Sequence, residues 1–498
     1  MLRVLGSTRK LCGGFSRRDL LRVGGLGLAG PSLPHLLSWQ DQAKASEASS
    51  LPHFGKAKGL ILIHLYGSPS QIEWVDCKPD APVEIRGELG TIPSSVPGMA
   101  VGELFPNMAK VMDRSTVIRS LTHPYPIHGV AYALTGVPAI DVAMELSPND
   151  SRHWPFFPSV VEFVEGKNRE RAPAVPANLA LPFRFSSRRV GEVSRAGPYG
   201  AFLGSQYNPL WADFHGEATK GIVKTLQDKT YTGNDPYVGI ADGAYFTVPN
   251  ATTLQPELTL DRLDQRRSLL EQLNANLPSL ATSRLGQGLS RHQQAALSLL
   301  ESQKLADALD LRKEDPAVRK LYGESLFGQS CLAARRTIEA GGRVVSVFWD
   351  EFGLAGSGWD THWNHYPRMK QELAPGFDTG WYGLMTDLDQ RGLLDDILVV
   401  CTSEHGRTPR ITTGQGGGRD HWSRVYSTII AGAGIKRGHV VGASDKIAGD
   451  VADRPISPKD LLATMYHLLG INHHQLIADR QGRPFPLVDG SVIPEVLA

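Results

Sequence analysis

The chain has 498 residues, of which 41% are hydrophobic, 8% aromatic and 21% charged, and this balance is too apolar for a disordered chain and too polar for a protein with several membrane spans. The 52 basic and 51 acidic residues give a formal net charge of +1, which argues against a dedicated nucleic-acid binder and predicts no nucleic-acid partner. The four cysteines are too few for a disulfide framework in a chain of this length, and none stands in a C-x-x-C pair that would indicate a cysteine zinc site.

Residues 1–45 have the layout of a twin-arginine export signal. The pair Arg17–Arg18 precedes a short, glycine-rich apolar stretch, Val23–Gly30, and Ala43–Ala45 offers a small-x-small cleavage site. The apolar stretch is too short to span a bilayer, so no transmembrane segment is predicted. The alternative interpretation is a basic tail on a cytoplasmic protein. An export signal predicts that the twin-arginine machinery carries the protein to the periplasm or beyond, and it leaves a mature chain, 46–498, with 45 basic and 49 acidic residues.

The mature chain alternates short apolar runs with helical patterns. Continuous apolar and β-branched residues predict buried strands at Gly59–Leu65, Ser115–Ser120, Arg343–Trp349, Asp396–Thr402 and Val425–Ala431. Helical spacing of apolar residues predicts helices at Val101–Asp113, His128–Thr135, Pro367–Leu393 and Pro458–Leu469, and a helical region over 261–340. This alternation predicts an α/β fold with a doubly wound, mostly parallel sheet flanked by helices.

Residues 141–260 differ from this pattern. They are rich in proline, glycine and aromatic residues, and their periodicity is weak. Long segments of this kind often face the substrate. We interpret the segment as a large loop-rich insertion or subdomain within a single domain that spans 46–498.

Acidic and imidazole side chains follow the predicted strands. In parallel sheets, functional groups gather at the carboxyl ends of the strands, and oxygen and nitrogen donors suit divalent metals. Taken singly, each acid–histidine pair is a common loop salt bridge, but their shared position favours a metal site. Two arginines, Arg407 and Arg419, have the planar donors that hold an anion. The predicted metal ligands are Glu73, Asp76, Asp360, His362, Glu404, His405, Asp420 and His421.

Several of these stretches together resemble the bacterial "domain of unknown function 1501" family. The likeness runs from about Lys58 to Ile471, and its most specific parts are E-H-G-R-T-P at 404–409 and G-R-D-H-W at 418–422. The resemblance implies the alkaline phosphatase-like superfamily, which includes sulfatases and phosphodiesterases and has a doubly wound sheet with one or two divalent metals. The implied cofactor is therefore a divalent metal such as Zn, Mn or Ca. The other matching stretches are Leu65–Asp80, Glu84–Gly87, Arg119–His123 and Trp359–His362.

The chain departs from this pattern where a nucleophile is expected. The family usually has Asp-Thr where this chain has Glu73-Trp74, and an indole cannot act as a nucleophile. No Ser or Thr begins the helix ahead of Ala133–Gly136, where His128 stands instead, and His128 is the candidate acid–base group. The string C-x-A-x-R that begins at Cys331 matches formylglycine sulfatases, but it lies within a predicted helix, so we expect a buried structural cysteine.

Two functions stay open at this point. In the first, the protein is an exported metal-dependent hydrolase of phosphate or sulfate esters, in which the metal activates a water or hydroxyl and Arg407 or Arg419 holds the anionic ester. In the second, it is a catalytically inactive exported binding protein for an anionic glycan, sulfated or phosphorylated. The retained acid–histidine pairs favour hydrolysis, whereas the missing nucleophile favours binding.

Overall fold

A computed structural model describes most of residues 46–498. The described ranges are 51–128, 130–137, 142–148, 150, 152–167, 173–190, 195–226, 229–248, 268, 303–354 and 356–498. The predicted export signal and its cleavage site lie outside the described residues, as does much of the predicted helical region 261–340. Within the described part of the chain, no helix combines the length and the apolar character that crossing a lipid bilayer requires.

Eight strands form the central sheet. In chain order they are β1 Gly59–Leu65, β2 Ser115–Leu121, β3 Asn178–Leu181, β4 Leu210–Trp211, β5 Val344–Trp349, β6 Ile397–Thr402, β7 Tyr426–Ala431 and β8 His439–Val441. Across the sheet their order is β8-β2-β7-β6-β1-β5-β3-β4. Strand β7 pairs antiparallel with β6 and β2, whereas the other pairings in this sheet are parallel. The prediction of a mostly parallel sheet is therefore confirmed.

The sheet is covered on both faces because its strands are apolar on both faces. In β1, Ile61, Ile63 and Leu65 belong to one hydrophobic core, and the alternating Leu60 and Leu62 belong to a second core on the opposite face. A fully buried side chain of this kind contributes roughly 1.5–3 kcal/mol to the stability of the fold. The continuous apolar runs seen in the sequence are thus explained by burial on both sides.

Helices supply the two covering layers. Five of them are α1 Val130–Thr135, α2 Phe157–Gly166, α3 Leu326–Glu339, α4 Ala374–Gln390 and α5 Pro458–Leu468. Side chains of α3 and α4 belong to the first core, and those of α1, α2 and α5 to the second. Ser457 caps α5 in a capping box with Asp460, which fixes the start of that helix. The other helical segments of the described residues are Val83–Arg86, Met108–Arg114, Val142–Glu145, Ala201–Leu203, Ser205–Tyr207, Gln303–Leu309, Leu311–Lys313, Pro316–Leu321, His365–Arg368, Met369–Leu373 and Pro494–Val496.

The sequence prediction of one helix over Val101–Asp113 is wrong in its first half. Ala100–Gly102 pairs with Thr91–Pro93 as a short antiparallel ladder, and a tight helical segment begins only at Met108. The apolar residues of this segment are buried in either case, so their spacing alone did not separate the two structures.

The described part of 141–260 contributes two strands to the central sheet. Strands β3 and β4 come from this segment and extend the sheet beyond β5. A two-stranded hairpin, Gly221–Leu226 with Lys229–Asn234, follows them. The remaining short strands are Arg189–Val190, Asp213–His215, Tyr245–Thr247, Gly353–Leu354, Gly406–Arg407, His421–Trp422, Ala443–Ser444, Val451–Asp453, Leu476–Ala478 and Pro484–Pro486.

Candidate functional site

Four loops meet at one edge of the central sheet. Strands β1, β2, β5 and β6 end at this edge, and β7 begins there because it runs in the opposite direction. The loops that follow β1, β2, β5 and β6 therefore converge, although they lie far apart in sequence. This is the edge at which α/β sheets carry their functional groups.

A close approach at Gly67 brings two of these loops together. Gly67 has a φ of +89°, and a Cβ atom at this position would lie 2.3 Å from the backbone nitrogen of Asp360. Its own N–H donates a 2.7 Å hydrogen bond to Oε1 of Glu404. Glycine is required here because a side chain would collide with the Asp360 loop. The turn after β1 thus sets the positions of both carboxylates.

His128 lies between these two carboxylates. Its Nδ1 is 3.2 Å from Oε1 of Glu404, and its Nε2 is 3.3 Å from Oδ2 of Asp360. Burial alone would lower the pKa of His128, but the Asp360 and Glu404 carboxylates raise it to about 10. The ring also stacks on Tyr66, with 5.2 Å between ring centroids. His128 therefore links the ends of β1, β5 and β6.

Two further imidazoles converge on Asp360. Oδ1 of Asp360 lies 3.1 Å from Nε2 of His362 and 3.3 Å from Nε2 of His421. Nδ1 of His362 faces a carboxylate oxygen of Asp420 at 2.6 Å, and Nδ1 of His421 faces the carbonyl of Pro126 at 3.3 Å. Each Nδ1 thus has an acceptor for a ring proton, whereas both Nε2 atoms face the same carboxylate oxygen of Asp360.

The two Nε2 atoms of His362 and His421 lie only 3.0 Å apart. Two ring nitrogens at this separation are satisfied by a proton shared between them or by a cation that both of them bind. Histidine ligands of metals typically donate their second ring N–H to a carboxylate or a backbone carbonyl, which is the arrangement of both residues.

His405 adds a third imidazole of the same kind. Its Nδ1 lies 2.8 Å from the backbone carbonyl of Gly406, and its Nε2 is buried with no hydrogen-bond partner among the described residues. Burial lowers the pKa of His405 well below its usual value, so the ring is neutral. A buried lone pair without a donor costs free energy unless something else occupies the position.

These side chains fit a divalent metal. Donor atoms of Asp360, His362 and His421 all lie within 4.8 Å of one another, and so do donor atoms of His128, His405 and His421. The two groups share His421, so they form one continuous set of nitrogen and oxygen donors. Neutral imidazoles and ionised carboxylates are the ligands that transition metals take in proteins. His128, whose pKa is raised to about 10, therefore lies against this set as a protonated ring and not as a ligand.

Glu404 contacts this cluster through His128 and is itself buried beneath the surface. Its side chain is fully buried, and its Oε2 lies 3.2 Å from Nε2 of His64 on β1. Burial would raise the pKa of Glu404, but the hydrogen bonds from His128 and His64 hold it well below its usual value. The carboxylate is thus ionised in the interior of the protein.

Four predicted ligands lie outside both donor groups. Glu404 and Asp420 contact the groups through His128 and His362, whereas Glu73 and Asp76 pair with other residues. Glu73 is buried against the guanidinium of Arg419. Burial would raise the pKa of Glu73, but this cation has the larger effect and lowers the pKa to about 2. Asp76 pairs with Lys78 at 2.9 Å and accepts a hydrogen bond from Ser444. Both carboxylates already have local partners, which is the arrangement expected of structural ion pairs.

The two predicted anion-holding arginines are both fully buried. Arg419 donates to the Glu73 carboxylate and to three backbone carbonyls, and these contacts use all five of its N–H groups. Arg407 donates to Asp360 and to the backbone carbonyls of Gly67, Ser68 and Arg419. Arg419 therefore has no N–H left for a bound anion, and Arg407 positions Asp360.

Two histidines of the site are absent from the sequence prediction. His64 lies within the apolar run of β1, and Nε2 of His123 donates to the backbone carbonyl of Glu404 at 2.7 Å. Burial lowers the pKa of His123 to about 4, so its ring is neutral. The sequence contained one indication of this, the imidazole of His64 in an otherwise apolar strand, because a buried imidazole requires a polar partner.

Comparison with solved structures finds distant similarity. The chain is similar to a sulfatase from Pseudoalteromonas sp., with 10% identity and a TM-score of 0.37 over 92% of this chain and 76% of that one. It is also similar to a phosphonate monoester hydrolase from Silicibacter pomeroyi, with 12% identity and a TM-score of 0.31 over 87% and 75%. A third structure is the lipoteichoic acid synthase from Listeria monocytogenes, with 10% identity and a TM-score of 0.32 over 86% and 78%.

Comparison of the sequence with curated proteins finds no match. A family model does match, and it is described as "Protein of unknown function (DUF1501)". The match covers residues 57–497, from just before β1 almost to the end of the chain, and it includes every side chain of the cluster described above. The chain therefore belongs to the DUF1501 family.

Proposed function

We propose that this protein is an exported metal-dependent hydrolase of phosphate or sulfate esters. The observation that carries the proposal is the buried, unpartnered Nε2 of His405 beside the facing Nε2 atoms of His362 and His421. Three imidazole nitrogens that converge next to an ionised carboxylate form a donor set that a divalent cation satisfies.

The proposed ligands are Asp360, His362 and His421 in one group, and His405 in the adjoining group that shares His421. Imidazole nitrogens favour Zn or Mn over Ca, because calcium takes oxygen ligands almost throughout. A bound divalent metal would neutralise the ester oxygens and activate a water. The guanidinium of Arg407 pairs with the carboxylate of Asp360, and Asp420 orients the ring of His362.

His128 is the proposed acid–base group. Its ring lies between Asp360 and Glu404, so both of its nitrogens face acceptors and it keeps a proton at the centre of the cluster. The leaving oxygen of an ester requires a proton when the bond breaks, and a positioned imidazole supplies one efficiently. Glu404 fixes the ring through Nδ1, which leaves Nε2 as the nitrogen that transfers the proton.

A second candidate function is a catalytically inactive binding protein for a sulfated or phosphorylated glycan. Oγ of Ser68, a hydroxyl next to the cluster, accepts a 3.1 Å hydrogen bond from the backbone N–H of His405. Helix α1 begins at Val130, two residues after an imidazole rather than after a Ser or Thr. The absence of a side-chain nucleophile from this helix start favours binding without hydrolysis.

Metal analysis and turnover assays separate the two functions. We expect the purified mature protein to contain a divalent metal and to hydrolyse an aryl phosphate, a phosphodiester or an aryl sulfate. Chelation should abolish turnover, and restoring Zn or Mn should recover it. A protein without bound metal and without chelator-sensitive turnover would contradict the hydrolase. Tight binding of a sulfated glycan without hydrolysis, unchanged in Glu404→Gln or His405→Ala, would support the binding protein instead.

Asp420 provides a test of the metal site that does not depend on turnover. Its side chain is 62% exposed, so Asp420→Ala should change the free energy of unfolding by no more than about 0.5 kcal/mol. Loss of the carboxylate that orients His362 should weaken metal binding by about 10- to 100-fold. Competition with a chelator of known affinity measures this change. An unchanged metal affinity would show that the Asp420–His362 contact has no part in metal binding.

Export is the remaining element of the proposal. The paired arginines and the glycine-rich apolar stretch within residues 1–45 support transport by the twin-arginine machinery to the periplasm or the extracellular space. Because this route carries folded proteins, a metal bound before export would travel with the chain. Replacing Arg17 and Arg18 with lysine should leave the protein in the cytoplasm, which fractionation would show.

A further inference from the structure

Trp363 differs from the other tryptophans of the protein. Its side chain is 39% exposed, which makes it the most exposed tryptophan in the described ranges. Four others, Trp74, Trp349, Trp359 and Trp381, are fully buried. A single exposed apolar side chain is common on protein surfaces and does not by itself indicate a function. The position of Trp363 is what makes its exposure informative.

That position is the rim of the histidine cluster. The indole ring contacts the imidazole of His362, with 5.2 Å between ring centroids and an interplanar angle of 46°. His362 in turn lies 3.1 Å from Asp360. The indole therefore contacts the donor group directly through His362, and its N–H donates to no acceptor among the residues that the structure describes.

The backbone around Trp363 is held on both sides. The N–H of Arg419 donates to the carbonyl of Thr361 at 3.0 Å, and the N–H of His365 donates to the carbonyl of Gly417 at 3.1 Å. Asn364 has a φ of +52°, and its side chain donates a 3.0 Å hydrogen bond to the carbonyl of Thr225. The indole is thus presented to solvent by a fixed segment, which lowers the entropic cost of binding a ligand.

The chemistry of an indole face determines what would bind there. Its quadrupole places negative charge on the face, so the face repels an anionic ester group and attracts polarised C–H bonds or the edge of another ring. Pyranose rings present such C–H bonds on one face, and aromatic rings present a flat apolar surface. The ligand chemistry common to both is a six-membered ring with an apolar face.

We propose that Trp363 is a specificity-determining residue that binds the ring carrying the ester, while the ester itself lies at the neighbouring histidine cluster. This inference rests on the proposed hydrolase function for the position of the ester. Trp363 would contact only the part of the substrate that does not react, so it contributes equally to the ground state and the transition state. Its removal should therefore raise KM and leave kcat unchanged.

Three substrates with one reacting group test this. For an aryl phosphate and a glucopyranosyl phosphate, Trp363→Ala should raise KM about tenfold, and Trp363→Phe should recover most of the loss. For ethyl phosphate, which has no ring, kcat/KM should stay unchanged. Val223→Ala, which truncates another exposed apolar side chain, is the matched control and should alter none of the three. An effect on only one ring substrate identifies whether the ring is aromatic or a sugar.

An equal loss on all three phosphates, or unchanged KM for both ring substrates, would overturn the assignment. If the wild-type protein hydrolyses neither these phosphates nor the corresponding aryl, glucopyranosyl and ethyl sulfates, the proposed hydrolase fails, and the ring site is then judged by calorimetry with glucopyranosyl sulfate and aryl sulfate. Binding that Trp363→Ala weakens about tenfold and Trp363→Phe restores would support the ring site without catalysis. Binding of neither sulfate, or binding that Trp363→Ala leaves unchanged, would overturn it.

Discussion

Asp360→Asn is expected to remove metal binding and to lower the free energy of unfolding by about 3–5 kcal/mol. Asp360 faces the fully buried guanidinium of Arg407 and the imidazoles of His128, His362 and His421. Burial opposes its ionisation, but Arg407 and His128 hold the pKa of Asp360 well below its usual value. An uncharged amide would leave Arg407 in the interior without a counter-ion. Denaturant unfolding, with and without added Zn, measures both effects.

The control for this variant is an acid at the surface. Asp395 is 75% exposed and lies 3.4 Å from Arg437, so Asp395→Asn should change stability by no more than about 1 kcal/mol and metal content not at all. Because a ligand that binds only the folded state stabilises it, added metal should raise the stability of the wild type and of Asp395→Asn but not of Asp360→Asn. If Asp360→Asn binds metal with wild-type affinity, the ligand assignment is wrong.

Arg419→Met is expected to destabilise the protein by about 3–5 kcal/mol, because the substitution strands the buried carboxylate of Glu73. Three backbone carbonyls, those of Thr408, Pro409 and Ile85, would lose their donors as well. The imidazole of His365, 3.6 Å from Glu73, is a weaker substitute for the lost cation because burial lowers its pKa. The free energy of unfolding from a denaturant titration measures the effect.

Arg410→Met is the matched control, since its side chain is 75% exposed and lies 3.9 Å from Glu84. It should shift stability by at most about 1 kcal/mol. The sequence suggested a different role for Arg419, that of holding an anionic substrate. If Arg419→Met were as stable as the wild type but had lost turnover, that role would be restored and the structural assignment rejected.

Much of the fold follows from local sequence. Strands such as Gly59–Leu65 and Ile397–Thr402 are continuous apolar runs between breaking residues, and burial on both faces of a sheet accounts for them. Asn178–Leu181 and Leu210–Trp211 were not predicted, because segments of four and two residues carry too little periodicity to be recognised. They join the sheet through pairing with neighbouring strands, which is a tertiary effect.

The sequence indicated which types of side chain gather at the site, but not which acid pairs with which cation. Acids and imidazoles after parallel strands predicted a cluster at one edge of the sheet. Of the eight ligands predicted from the sequence, six lie in this cluster or contact it: Asp360, His362, Glu404, His405, Asp420 and His421. Sequence does not show which cation a carboxylate will meet. Glu73 meets Arg419, which is 346 residues away, and only the folded chain brings the two together. Whether an acid serves a metal or an arginine is therefore decided by three-dimensional contacts.

The reversed direction of β7 has a consequence for how such a protein could change. Since β6 and β7 are antiparallel neighbours, the chain between Thr402 and Tyr426 leaves the sheet and returns to it at the same edge. This one excursion carries Glu404, His405 and His421 together. The same excursion also carries Arg407 and Arg419, whose buried guanidinium groups pair with Asp360 and Glu73 on other loops. A segment with different reactive groups therefore has to keep these two arginines, because they bind it to the loops that follow β1 and β5.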